Sequence, residues 1–157
     1  MLTQQGPHFH LTIDYANQFI QKATFIPSKA FTWEFQTPYV DRFLEQQIEE
    51  WLINYGQKQV APFDLPFNWA RLTPFTQQVL KYVASIPFGQ VHTYGQVAQH
   101  LNVPRAARAV GRACGANPFP FLIPCHRVID AQHQLRGYSA GGVEIKQALL
   151  TFENISF

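Results

Sequence analysis

Apolar and polar residues alternate early in the chain and take up helical spacing later. Phe31, Trp33 and Phe35 fall at every second position, the period of a strand with one buried face. From Pro38 to Tyr55, the apolar residues Val40, Phe43, Leu44, Ile48, Trp51, Leu52 and Tyr55 recur at three- and four-residue intervals, which predicts an amphipathic helix. The run Ala61-Pro62-Phe63-Asp64-Leu65-Pro66-Phe67 cannot continue a helix and removes donors from any sheet, so a boundary is expected there. The pattern before it is mixed α/β.

Beyond the boundary the signals are helical. Thr73 and Pro74 supply an N-cap and a first-turn proline, and Phe75, Val79, Tyr82, Val83 and Ile86 trace a helix that stops before Pro87. Phe88, Gly89 and Gln90 turn the chain, and Thr93 caps a second helix through Val97, Ala98 and Leu101. A third helix is expected from near Pro104, joined to the second by Asn102 and Val103 alone, the spacing of a helix-turn-helix. Gly137, Gly141 and Gly142 make a loop before a last helix carrying Ile145, Ala148, Leu149 and Phe152. That helix ends at Glu153, where a carboxylate opposes the helix dipole and so points to a specific partner.

At 157 residues, with 46% hydrophobic and 14% charged, the chain can bury one ordinary core or two small ones. Two domains are expected: 1–70, with a Pro-rich linker near 61–68, and 71–157. No run of about 18 apolar residues is present, and the polar start from Met1 to His10 lacks a basic stretch followed by an apolar one. No membrane association is expected, and the cytoplasm is the expected location. Cys114 and Cys125, without an export signal, read as reduced thiols. His8 and His10 have no cysteine near them in sequence, so neither a zinc site nor any other cofactor is expected.

Charge divides the chain. Up to Ala70, four cations face seven carboxylates, a net of −3; from Arg71 onward, eight cations face three, a net of +5. The basic part is compatible with a polyanion partner such as nucleic acid and also with an ordinary surface. Within it lies Arg105-Ala106-Ala107-Arg108-Ala109-Val110-Gly111-Arg112, where every residue is small or cationic except Val110. Arginines at three- and four-residue spacing suit a phosphate-lined groove, and a helix of alanine and glycine fits the narrower minor groove. Close helix packing with solvated arginines accounts for the same residues.

The densest chemistry follows. Phe119-Pro120-Phe121-Leu122-Ile123 leads into Pro124-Cys125-His126-Arg127-Val128, which sets a thiol beside an imidazole in an apolar run. A neighbouring base raises the thiolate fraction of a thiol and makes it a nucleophile, whereas a buried cysteine without one is a small hydrophobe. Adjacency alone leaves both readings open.

Taken in order, Thr93-Tyr94-Gly95-Gln96-Val97-Ala98, Ala106-Ala107-Arg108-Ala109-Val110-Gly111, Asn117-Pro118, Ile123-Pro124-Cys125-His126-Arg127-Val128 and Gly137-Tyr138-Ser139 with Gly141-Gly142 resemble the methylated-DNA–protein-cysteine methyltransferases. The likeness spans roughly Leu72 to Glu153. It implies a monomer that repairs O6-alkylguanine, and O4-alkylthymine, in double-stranded DNA by irreversible single-turnover transfer of the alkyl group to its own cysteine. It implies a small ribonuclease H-like antiparallel sheet plus helices in the variable N-terminal domain. The C-terminal domain is then a mostly α, winged-helix-like DNA-binding unit with a helix-turn-helix.

The resemblance also implies roles. Cys125 is the acceptor, His126 its base through a water, Glu153 the orienter of His126, Asn117 the brace of the turn, and Tyr94 a donor to the base that also helps rotate the target phosphate. Arg108 fills the stack vacated by a flipped nucleotide; Ala106, Ala107, Ala109, Gly111, Arg105 and Arg112 complete the DNA face. Tyr138, Ser139, Val128 and Pro120 line the substrate pocket, where the carbonyls of Cys125 and Val128 read the exocyclic amine of guanine. Cys114 reads either as inert packing or as a second modifiable thiol. The loop Ala131 to Arg136 lies where such proteins vary, and the cysteine cluster of a zinc-bearing regulator is absent. An alkyltransferase-like module that only flags lesions lacks the acceptor cysteine, and a Cys-His hydrolase would leave the Arg108 helix unexplained.

Overall fold

Strict alternation is what builds the first unit. In strand β2, Phe9–Ala16, the residues Phe9, Leu11, Ile13 and Tyr15 are buried and their neighbours half-exposed. The computed structural model describes residues 2–3, 6–61, 63–134, 138 and 140–156, which fall into two compact units, Met1–Asn68 and Trp69–Phe157. In the first, β1 is Leu2–Thr3, β3 is Phe19–Pro27 and β4 is Phe31–Gln36. Asn17 and Gln18, at φ 52° and 71°, turn β2 into β3, the left-handed pair a tight hairpin requires.

The strand order is β1-β4-β2-β3. β2 pairs antiparallel with β3 and β1 with β4, but β2 and β4 run parallel, with Leu11 opposite Trp33. The expected antiparallel sheet is therefore mixed. After β3 the chain crosses to the other edge of β2, and β4, reversed relative to β3, runs in the direction of β2.

Helix α1, Arg42–Gly56, buries Leu44, Ile48, Leu52 and Tyr55. It begins four residues later than the apolar spacing suggests, because the Asp41 side chain accepts from Leu44 N at 3.0 Å and so caps it. Val40 and Phe43 consequently stay exposed. Tyr15 joins sheet to helix: its hydroxyl donates to Glu45 Oε2 at 2.5 Å and accepts from Asp41 N at 2.8 Å. Among the described residues of this unit α1 is the single helix, against the several expected.

The second unit contains α2 (Pro74–Ala84), β5 (His92–Thr93), α3 (Tyr94–His100), α4 (Ala107–Gly115), a single 3-10 turn (Cys125–Arg127), β6 (Val128–Ile129) and α5 (Gly142–Phe152). Thr73 caps α2 by accepting from Thr76 N at 3.2 Å. Thr93 and Gln96 form a reciprocal capping box on α3, with bonds of 3.0 and 2.7 Å. The link from α3 to α4 runs from Leu101 to Ala106 rather than through two residues, because Ala106 N donates to Val103 O at 2.9 Å and spends Pro104 and Arg105 on a turn. Arg105 therefore precedes the helix instead of lying on it. α4 packs against α2 and α3, and the parallel pairing of His92 with Val128 draws the start of α3 to the end of the 3-10 turn.

Candidate active site

Residues 119–129 are all buried, and their path is set by three local devices. Phe121 takes a left-handed φ of 72°, which costs a non-glycine residue ~1–3 kcal/mol, and Ile123 N closes that turn on Phe119 O at 2.8 Å. Pro124, at φ −82° and ψ 64°, makes an inverse γ-turn closed by Cys125 N on Ile123 O at 2.8 Å. Asn117 holds both turns. Its Oδ1 accepts from Phe119 N at 2.8 Å, and its Nδ2 donates to Ile123 O at 3.0 Å and to Cys125 Sγ at 3.3 Å. Together they deliver Cys125 to the first position of the 3-10 turn.

The next two side chains are tied to Glu153, the residue that follows α5. His126 Nε2 meets Glu153 Oε2 at 2.5 Å, and Arg127 Nε donates to Glu153 Oε1 at 2.6 Å. Arg127 Nη1 also donates to Ile86 O at 2.7 Å, and its guanidinium lies 5.8 Å from the centre of the Phe88 ring. Burial alone would raise the Glu153 carboxyl. The hydrogen bonds and charges of His126 and Arg127 outweigh it and hold the group at about 2. Burial pulls His126 below the ordinary imidazole value, with the Glu153 bond and charge opposing it. A carboxylate at Glu153 makes Nε2 the donor, which leaves Nδ1 with the lone pair. That Nδ1 is buried and has no hydrogen-bond partner among the described residues.

The sulfur has its own surroundings. A hydrogen bond with the Cys114 thiol, followed by burial, pushes Cys125 well up, while the Asn117 donor and the Lys146 charge pull it back. Lys146 is 1% exposed, sits on α5 and donates from Nζ to Val128 O at 2.8 Å; burial lowers its pKa. Tyr94, the first residue of α3, is pushed up to about 12, chiefly by burial and then by the two thiols, so it stays a protonated donor. Tyr138 is buried and likewise raised by burial and by Cys125.

The remaining expected residues are distributed as follows. Arg108 and Arg112 are exposed on α4, Arg105 is exposed in the preceding turn, and none has an ion pair among the described residues. Val110, Ala113 and Cys114 form the buried side of α4, with Ala106, Ala107 and Ala109 half-buried. A Cβ at Gly111 would lie 3.9 Å from the Tyr94 ring, in ordinary contact. Pro120 is buried and bridged to Ile123, and the Val128 carbonyl is occupied by Lys146. Ser139 lies outside the described residues, as do Arg136 and Gly137. Among the described residues no cluster of three or more His, Cys, Asp or Glu is placed to hold a metal, and no helix is long and apolar enough to cross a membrane.

Arg127 and Lys146 carry no role in the sequence reading. Arg127 lies inside the Pro124 to Val128 motif, so its presence was visible but its partner, 26 residues away, was not. Lys146 had one local signal, since it precedes Leu149 and Leu150 by three and four residues and so falls on the apolar side of its helix.

Residues 74–155 match the family described as "6-O-methylguanine DNA methyltransferase, DNA binding domain". A methylated-DNA–protein-cysteine methyltransferase from Mycobacterium bovis is 43% identical over 99 residues, 63% of this chain and 59% of that protein. One from Salmonella typhimurium is 53% identical over 102 residues, 65% of this chain and again 59% of its own length. The match thus spans less than two thirds of either relative. The crystal structure of Mycobacterium tuberculosis OGT in complex with DNA superposes with a TM-score of 0.72 at 29% identity, covering 92% of each chain.

Proposed function

The chain belongs to the 6-O-methylguanine DNA methyltransferase family, and from that membership we propose that it repairs O6-alkylguanine in duplex DNA by moving the alkyl group to Cys125. The observation that carries the reading is the arrangement of His126, whose Nε2 is pinned by Glu153 while Nδ1 is a buried acceptor with no partner among the described residues. Such an atom is costly unless a water or reactant meets it. A water bridging Nδ1 to Cys125 Sγ takes the thiol proton, and the Glu153 carboxylate stabilises the imidazolium that results. The thiolate, steadied by Asn117 Nδ2 and the Lys146 charge, attacks the alkyl carbon in line. The carbon–oxygen bond breaks, its electron pair passes to the guanine, and a proton donated to the base completes the exchange. Tyr94 is placed in this scheme as the donor because its phenol stays protonated. The product is a thioether that neither water nor thiols cleave, so one molecule serves once.

A buried sulfur cannot reach a stacked base, so the nucleotide must leave the helix. Arg108 is the residue assigned to the gap, and Ala106, Ala107, Ala109 and Gly111 keep the α4 backbone thin enough to approach the minor groove, with Arg105 and Arg112 on phosphates. Tyr138 and Ser139 are assigned to the O6 side of the pocket. The Val128 carbonyl can read the exocyclic amine with its second lone pair, the first being taken by Lys146. The β5–β6 pair and α3–α4 are read as a winged-helix-like unit with a helix-turn-helix, and the first unit as ribonuclease H-like; a monomer working in the cytoplasm, with O4-alkylthymine as a second lesion, completes the proposal. The test is intact-mass and peptide analysis after incubation with duplex DNA carrying O6-methylguanine. One methyl per protein, on Cys125, is expected. Repeated turnover, or methyl on Cys114 alone, overturns it.

A further inference from the structure

His8 and His10 have no cysteine near them in sequence, but the sheet of the first unit brings a carboxylate to His10. In the parallel pairing of β2 with β4, His10 stands opposite Thr32 and Thr12 opposite Glu34. His10 and Thr12 lie on the half-exposed side of β2, away from the buried Phe9, Leu11, Ile13 and Tyr15. His10 Nδ1 and Thr32 Oγ1 are 2.7 Å apart, and Thr12 Oγ1 donates to Glu34 Oε1 at 3.2 Å. Each threonine therefore holds the ring or the carboxylate directly across from it. Between those two, His10 Nε2 and Glu34 Oε1 face each other diagonally at 3.6 Å, with side chains 28% and 55% exposed. That distance is beyond a hydrogen bond, so the pair is not closed on itself. An ion ~2.1 Å from both atoms, the usual distance of zinc to imidazole nitrogen and carboxylate oxygen, would bridge them at an angle of about 120°. The gap has the width of a divalent cation.

We propose that His10 and Glu34 bind a zinc ion on this face of the sheet, with His8 drawn in as a third ligand and water completing the shell. A donor set of imidazole and carboxylate without sulfur suits zinc, copper or nickel better than magnesium or calcium, and the bridging angle is closer to tetrahedral than to the right angle of a square copper site. When Thr32 accepts from Nδ1–H, the tautomer is fixed with the Nε2 lone pair toward Glu34, the arrangement in which a ligating histidine is held by its other nitrogen. His8 is exposed one residue ahead of β2, and the alternation of burial runs back through it, Pro7 and Phe9 both being buried. At ~3.3 Å per residue it stands ~7 Å from His10 along the chain, so rotation of an exposed side chain brings it in. Two ligands are thus preset and the third is recruited. Zinc there clamps β2 to β4, the parallel pair of the sheet, whose strands no hairpin joins. None of these residues takes part in the proposed alkyl transfer, so the site stands whether or not that reading holds.

The full chain, stripped of metal and kept reduced, is titrated with zinc chloride by calorimetry, and the sample at one equivalent is examined by X-ray absorption. The expected result is one saturable equivalent that excess magnesium does not displace, a first shell of nitrogen and oxygen with imidazole scattering, and a Tm that rises with zinc concentration. His10→Ala and Glu34→Gln should each weaken binding ~10-fold or more, and Thr32→Val, which removes no ligand, should do so by ~10-fold through loss of the bond to Nδ1. His8→Ala should weaken it as well. Far-UV circular dichroism of the metal-free variants separates loss of a ligand from loss of the sheet. The absence of saturable binding overturns the proposal and leaves His10 and Glu34 a cross-strand ion pair. An equivalent that survives both His10→Ala and Glu34→Gln, or sulfur in the shell at ~2.3 Å, overturns it by placing the zinc elsewhere. Unchanged affinity in His8→Ala removes His8 from the ligand set.

Discussion

Asn117→Ala tests how the acceptor is held. The substitution removes the acceptor of Phe119 N at 2.8 Å and the donor to Ile123 O at 3.0 Å and Cys125 Sγ at 3.3 Å. At ~1 kcal/mol for each side-chain hydrogen bond, the loss is about 3 kcal/mol. The turn contains a left-handed Phe121, and release of that strain as the loop relaxes should offset part of the loss. Urea unfolding should show the midpoint moving down with an unchanged slope. The chemistry should move too. A hydrogen bond to an ionised sulfur is worth ~1.5–3 kcal/mol, so its removal should raise the Cys125 pKa, read from the pH dependence of iodoacetamide labelling of that residue. Asn117→Asp keeps an acceptor for Phe119 N but sets a carboxylate against the sulfur, and should raise the thiol further than alanine does. If Asn117→Ala costs under ~1 kcal/mol and leaves the labelling midpoint within ~0.3 units, Asn117 does not brace the site and the reasoning fails.

Other perturbations address the remaining parts. Glu153→Gln leaves Arg127 buried without its carboxylate, which should destabilise by about 3 kcal/mol at neutral pH, measured by denaturant titration. Because the native Glu153 pKa of about 2 lies below the ordinary 4.5, its stabilisation is complete above the higher value and is lost as pH falls through the lower one. The gap between wild type and Glu153→Gln should therefore narrow across that acid window, and a constant gap would contradict the assignment. Arg108→Ala should slow methyl transfer from duplex DNA by ~10–100-fold, the worth of a few kcal/mol of unstacking, while leaving transfer from free O6-methylguanine base unchanged. An equal loss with both substrates would mean that Arg108 supports the fold instead of the flipped state.

What could be read before folding was local. Thr73 and Thr93 announced their caps because a cap is satisfied within three residues. The carboxylate at the end of α5 announced a partner because its position is unfavourable on the helix alone; its donors, His126 and Arg127, lie 27 and 26 residues away. The parallel β2–β4 pairing had no such signal. Alternation fixes which face of a strand is buried and says nothing about which neighbour it takes. The pairing of Cys125 with His126 was readable as adjacency, yet adjacency points the wrong way. His126 spends Nε2 on Glu153, and the sulfur accepts from Asn117 Nδ2. That contact comes from the turn after α4, and it exists only once the buried run 119–124 has folded back.

A site used once need not release a product, and that bears on what happens to the protein afterwards. Cys125 is 5% exposed, with Asn117 Nδ2 at 3.3 Å from Sγ. A methyl group on Sγ adds a carbon to a buried sulfur and removes the anion that Asn117 and Lys146 stabilise. Inserting one methyl group into a packed interior typically costs ~1–3 kcal/mol. In a chain of this length each kcal/mol lowers Tm by ~2–4 °C, so the methylated protein should melt several degrees below the reduced one. Differential scanning calorimetry before and after reaction with one equivalent of O6-methylguanine DNA measures the difference, once the DNA has been removed. An unchanged or higher Tm would mean that the pocket retains room for the adduct, and the tight turn described around Cys125 would then not be the state in which the alkyl group is held.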